Sequence, residues 1–163
     1  MIQTASLIRE MVHYFEGDPG RIQHFMKVHD FARTIGILEA LPADQLFVLE
    51  TAAIVHDIGI KVSESKYGDA DGKHQEQEGP AAARPILEAL RYDAAIIDRV
   101  CYLIAHHHTY TNMDGMDYRI LVEADFLVNL YEGHSAPEAC RKAMDTVFCT
   151  KAGRQLCADM FGI

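Results

Sequence analysis

Residues 52–60 read Ala-Ala-Ile-Val-His-Asp-Ile-Gly-Ile, an apolar helical run whose face Leu49, Ala52/Ala53, His56 ends in an imidazole and a carboxylate side by side. Burying such a pair without a metal or strong partners costs several kcal/mol. His24 falls on the stripe His24, Val28, Phe31, Ile35, which turns its ring toward the interior. Asp125 shares the stripe Leu121, Asp125, Val128 of an otherwise apolar run, and a buried carboxylate needs a cation nearby. In Ala105-His106-His107-His108 the face Val100, Leu103, Ile104 places His107 inward, with His108 next to it and His106 turned further away. Divalent transition metals take imidazole and carboxylate ligands, and helical bundles collect them from converging faces. The pattern therefore points to a metal centre. His29 lies five residues after His24, about 140° round a helix, and cannot face the same ion.

These side chains need helices to carry them. Apolar residues recur at three and four, as in Leu7, Ile8, Met11, Val12, Phe15 and in Phe25, Val28, Ala32, Ile35, and no convincing alternating segment appears. The expected fold is all-α, with six to seven helices over 3–16, 20–40, 44–58, 78–90, 94–108, 117–132 and 136–149 and a last turn near 154–161. Helix-end punctuation agrees: Gly17-Asp18-Pro19-Gly20, Pro42 before Asp44, and Ser135-Ala-Pro-Glu138, which matches a capping box. Pro85 is expected to start or kink its helix. The stretch from Gly59 to Gln77 is polar and long for a connection, so it reads as a mobile lid or binding segment. Gly59 is expected to free the backbone to leave the helix behind the His-Asp pair.

At 163 residues the chain has the size of one domain, taken as 1–163, and its 49% hydrophobic content suffices for a core without staples. A net charge of −9 disfavours a nucleic acid polymer as partner. A small phosphorylated substrate stays compatible, because a bound divalent ion reverses the local sign. Cys101, Cys140, Cys149 and Cys157 form no CxxC pair and read as reduced, buried thiols. The N-terminal stretch lacks the ~18-residue apolar run that spans a bilayer, so no membrane association and a cytoplasmic location are expected.

His24 with Val28 and Ala32, then His56-Asp57-Ile58-Gly59, then Asp125 inside Glu-Ala-Asp, resembles the HD superfamily of metal-dependent phosphohydrolases in its ordered H…HD…D signature. The similarity covers residues 20–130, and Lys66-Tyr-Gly, Gln75-Glu-Gln-Glu-Gly-Pro80 and His106-His-His-Thr-Tyr110 look like a bacterial branch of that superfamily. The resemblance implies a single HD-domain helical bundle and a first ion held by His24, His56, Asp57 and Asp125. In dinuclear members the Asp of the pair bridges two ions, and a His-His pair, matched here by His107 and His108, holds the second with a further His four residues before a Gly. Here Gln75 stands four before Gly79, so His74, Glu76 or Glu78 is the candidate for the remaining ligand, or that ligand is absent. One or two divalent ions (Fe, Mn, Ni, Mg or Zn) would then serve hydrolysis of a small phosphate ester or nucleotide by metal-activated water. Asp57 and Lys61 are the expected catalytic residues, with Arg21 or Lys66 as further cations for the phosphate. Two rivals share the ligand types: an HD-fold dinuclear iron oxygenase that cleaves C–C or C–P bonds, and a non-catalytic domain that senses a metal or nucleotide.

Overall fold

The computed structural model describes residues 2–163, which form nine α-helices: α1 (Ile2–Tyr14), α2 (Pro19–Leu38), α3 (Ala43–Val55), α4 (Ile60–Tyr67), α5 (Gly72–Ala89), α6 (Ala94–Ile104), α7 (Met116–Glu132), α8 (Pro137–Thr146) and α9 (Lys151–Phe161). The expected all-α architecture is present, with two more helices than the upper expectation of seven. Among the described residues no helix is long and apolar enough to cross a membrane.

Helix α3 is buried on nearly every side, through Val48, Leu49 and the unbroken run Thr51–Val55. A helix without a polar face belongs in the middle of a core, and α3 packs against α2, α7, α6 and α1. Helix α2 presents His24, Phe25, Val28, Ala32 and Ile35 to that core, and α7 adds Leu121, Ala124, Asp125 and Val128. So α2, α3 and α7 meet in mutual contact, each carrying one predicted ligand segment. Asp18 starts α2: its side chain accepts from Arg21 N at 3.0 Å, and Pro19 takes the first helical position.

The stretch expected as a long loop is mostly helical. Helix α4 begins directly behind Gly59, and only residues 68–71 separate it from α5. Gly68 ends α4 in the left-handed region at φ 78°, which a side chain would strain, and Asp71 caps α5 by accepting from Lys73 N. The apolar period is missing because the buried positions of these helices are small or polar: Ser63 in α4, Gln75, Gly79 and Ala83 in α5. Helix α5 also runs through both Pro80 and Pro85, so Pro85 does not start it. Gly59 departs from its expected role too. It has φ −67°, ordinary helical backbone, and a Cβ there would run into the Gln75 carbonyl and stand 2.9 Å from Gly79 N. Its purpose is close approach of α5 to the His-Asp turn.

Two further differences lie at the C-terminal end. The capping box over Ser135–Glu138 does not form: the N-cap is Ala136, with no side-chain hydrogen bond. Proline favours the first helical position and pushes the preceding residue into extended backbone. Ala136 (φ −66°, ψ 152°) is therefore outside α8, and the helix starts one residue late for the box. The expected last turn is the full helix α9, started by Thr150, whose hydroxyl accepts from Gly153 N. The fully buried Glu123 carboxylate accepts from Cys149 N, Thr150 N and the Thr150 hydroxyl, fixing α9 to α7.

Candidate metal centre

Three histidines from three elements converge on the Asp57 carboxylate, His24 and His56 at one oxygen and His107 at the other, and in each the outer ring nitrogen is already engaged. His24 Nδ1–H donates to Glu132 Oε2 at 2.8 Å, His56 Nδ1–H to the Ala53 carbonyl at 2.8 Å, and His107 Nδ1–H to the Ile104 carbonyl at 2.8 Å. Such hydrogen bonds fix the tautomer, leaving the opposite nitrogen as a bare lone pair, as metal-bound histidines require. The Nε2 atoms of His24 and His56 face each other at 3.2 Å. Without positive charge between them, two lone pairs would meet in a buried place.

The carboxylates complete the cluster. Asp125 Oδ1 lies 3.2 Å from His24 Nε2 and 3.5 Å from His56 Nε2, and Asp57 Oδ2 lies 3.4 Å from each. Nitrogen and oxygen ligands about 2.0–2.2 Å from one ion stand about 2.8–3.6 Å apart in neighbouring positions. The imidazole–carboxylate distances fit that spacing: His24, His56 and Asp57 form one group whose donor atoms all lie within 4.8 Å of one another, and Asp125 Oδ1 faces both imidazoles as a further donor to an ion held there. The other oxygen of Asp57, Oδ1, lies 3.3 Å from His107 Nε2. Asp57, His107 and His108 form a second group whose donor atoms lie within 4.8 Å of one another. His108 Nε2 is buried and has no hydrogen-bond partner. Asp57 thus turns one oxygen to each group.

The protons follow the same logic. Burial opposes charge on His24, but the hydrogen bond to Asp125 and the Asp57 charge outweigh it, and its pKa is raised. Burial likewise opposes charge on His56, and Asp57 and Asp125 raise it well above an ordinary histidine. Asp57 and Asp125 are correspondingly held below the ordinary carboxylate range: burial alone would raise them, but the facing imidazoles win. Without an ion, protons supply the positive charge that the centre demands. His108 differs, since burial first and then its neighbour His107 lower its pKa.

Several expected residues are not brought to this point. Lys61 donates to the Tyr14 carbonyl at 2.8 Å and lies over the Tyr14 ring, so its ammonium is engaged there. His74 pairs with Asp69 at 2.9 Å and stacks on Tyr67. Glu76 Oε1 accepts from His108 N and the Thr109 hydroxyl, both at 3.0 Å, so it holds the turn that carries the His-His pair. Glu78 is bound by Lys66 and the Tyr67 hydroxyl. The three on α5 point elsewhere because it is one helix from residue 72, and its inward face is Gln75, Gly79, Ala83 and Leu87. His29 pairs with Glu50.

Two residues that sequence reasoning passed over belong to the site. Glu132 orients His24, and Asn129 Nδ2–H donates to Asp125 Oδ1 at 2.8 Å. They continue the Asp125 face at steps of four and three, so extending that stripe to the end of α7 finds them. A cleft of 290 Å³ opens onto the centre, lined by Gly20, Arg21, His24, Asp57, Ile60, Asn129 and Glu132. A larger hollow of 630 Å³ lies near Phe47, but its guanidinium, Arg99, is fully engaged by Asp114 and Asp117.

A helical bundle that converges imidazoles and carboxylates on a cleft defines a class of metal-binding domain, and the comparisons agree. The HD domain family matches residues 21–145, and the chain belongs to that family. The crystal structure of a predicted HD superfamily hydrolase from an uncultured Thermotogales bacterium is similar at TM-score 0.68, covering 99% of this chain and 85% of that one. Its 23% identity makes that a likeness of fold. No curated protein matches the chain in sequence.

Proposed function

We propose that the protein hydrolyses a small phosphate ester or nucleotide with one or two divalent ions held by the cluster of His24, His56, Asp57, Asp125, His107 and His108. The observation that carries this reading is the convergence of bare Nε2 atoms on two carboxylates, with every outer nitrogen of His24, His56 and His107 already donating. A divalent ion bound there would polarise a phosphoryl oxygen and lower the pKa of water from ~16 toward ~7. The protein supplies the rest. Asp57 faces both donor groups, so its loss would disturb both.

Arg21 is the phosphate anchor in this reading, in place of Lys61. Its guanidinium lines the cleft, lies over the Phe15 ring and is paired with partly exposed partners, Glu64 and Asp18. Such surface pairs are worth about 0–1 kcal/mol, little enough for a phosphoryl group to displace them. The cleft lies at the small end of ligand pockets, which span about 300–1,000 Å³, and favours a compact ester over a polymer. The net charge of −9 acts in the same direction, and the unpaired thiols, three of them buried, fit a reducing cytoplasmic setting.

The test is release of inorganic phosphate from a panel of phosphomonoesters and nucleotides, each assayed with Mn²⁺, Mg²⁺, Ni²⁺, Fe²⁺ and Zn²⁺. Turnover of one substrate class, abolished by Asp57→Ala, is expected. No release from any member would leave a sensing domain, and oxygen uptake by the iron-loaded protein would move the assignment to an oxygenase.

A further inference from the structure

Among the described residues three buried side-chain polar atoms lack a hydrogen-bond partner: Gln75 Oε1, His108 Nε2 and the Tyr92 hydroxyl. The first lies on α5, which packs on Gly59 two residues beyond Asp57, and the second follows His107, which faces Asp57. Gln75 is only 5% exposed, and its amide is oriented by one contact, Nε2–H donating to the Ala70 carbonyl at 2.9 Å. A carbonyl can only accept, so the amide nitrogen is the bonded end and Oε1 the free one. Leaving such an oxygen dry and unpaired costs about 1–3 kcal/mol.

Its neighbours show where it stands. On the same face of α5, a Cβ on Gly72 would come within 2.8 Å of the His108 ring. The Gln75 backbone itself presses on Gly59, two residues beyond Asp57, and Gly79 borders Gly59 and the Ile104 side chain, three residues before His107. Gln75 therefore sits between the His-Asp turn and the His-His pair. Gly59 and Gly72 are what allow α5 to come so near.

We infer that Gln75 Oε1 is a ligand in the second ion site, beside Asp57, His107 and His108. The inference rests on the proposed reading that this group binds a divalent ion. Carboxamide oxygen is a neutral, hard donor. The first group sets two carboxylates against one ion, whereas the second shares Asp57 and adds only neutral ligands. The two sites are accordingly unequal: the ion at Gln75 is the weaker one, and it favours Mn²⁺ or Mg²⁺ more than an all-imidazole set would.

The test uses the full chain and Mn²⁺ alone, counting bound ions by equilibrium dialysis and following the spin-coupled pair by electron paramagnetic resonance. Two sites of different affinity are expected. Gln75→Leu should weaken the second at least about tenfold, the scale of losing a metal-site partner, and abolish the coupled signal while the tighter site is unchanged. Should leucine disturb folding, Gln75→Glu decides, because a carboxylate of the same shape should tighten the weaker site at least about tenfold. Unchanged weak-site affinity in both variants would overturn the inference and leave the hydrolase reading intact, as would one ion per wild-type chain. No bound ion at all would overturn both.

Discussion

Removing the Glu132 carboxylate should weaken the tighter ion site although Glu132 touches no ion. Its Oε2 accepts the His24 Nδ1–H at 2.8 Å, and its other oxygen takes Lys27 Nζ at 2.5 Å. The first contact keeps the His24 proton on the outer nitrogen and adds basicity to Nε2. Partners of this kind typically contribute about 10–100-fold in metal affinity, or about 1.4–2.8 kcal/mol at 1.4 kcal/mol per decade. Glu132 lies a third exposed and shares its charge with Lys27. Water can replace part of what it does, so Glu132→Ala belongs at the lower end, with affinity about tenfold weaker. Glu132→Gln keeps an acceptor without the charge and should fall between. The assay is competition for Mn²⁺ or Zn²⁺ against a chelating dye, with the melting temperature of the ion-free variant as a control on folding. An affinity within twofold of wild type for Glu132→Ala would refute the assigned role.

Gly59→Ala should destabilise the fold by about 3 kcal/mol, the upper part of the range for overpacking, because the new Cβ meets backbone of Gln75 and Gly79 that cannot rotate away. At about 2–4 °C per kcal/mol for a chain this long, melting should fall by about 6–12 °C, and a loss under about 1 kcal/mol would contradict the close-approach argument. Glu123→Ala should orphan three donors, two of them buried on Thr150, and cost about 3 kcal/mol, with faster amide exchange concentrated in α9; uniform protection would count against it. In the ion-free protein, His24 and His56 should titrate above about 6.5 and His108 below it, read from imidazole resonances. The raised pair stabilises the ion-free fold fully below about pH 6.5 and loses that contribution as pH rises through the folded values. His29 and His108, lowered chiefly by burial, act with the opposite sign, so site-resolved titration is the appropriate measurement. An ion must displace the His24 and His56 protons, so affinity should rise with pH by up to about two decades per unit; pH-independent binding would be inconsistent with it.

Helices α2, α3 and α7 are legible in sequence because each buries an apolar stripe that includes a side chain able to bind a cation: His24, His56 or Asp125. There the hydrophobic period and the chemistry coincide. Around Ser63, Gln75 and Gly79 they part. Two helices that approach closely need small or polar residues where they touch, so α4 and the first half of α5 carry no apolar period and look like a loop. The second-ion candidates His74, Glu76 and Glu78 lie off the inward face of α5, which a stretch without apolar period does not reveal. Lys61 is close to the His-Asp pair along the chain, but one residue of helix past Ile60 sends it to Tyr14. Glu132 and Asn129 were hidden differently, as polar residues near a helix end that resemble an ordinary solvated surface.

The central claim is that donors from α2, the His-Asp turn and α7 meet at one cation. Metal analysis of protein purified without chelator, beside Asp57→Ala and Asp125→Asn prepared identically, tests it most directly. At least one divalent transition or alkaline-earth ion per wild-type chain, strongly reduced in both variants, is the predicted result. A wild-type protein that holds no ion and takes none up, or variants with full occupancy, would contradict it.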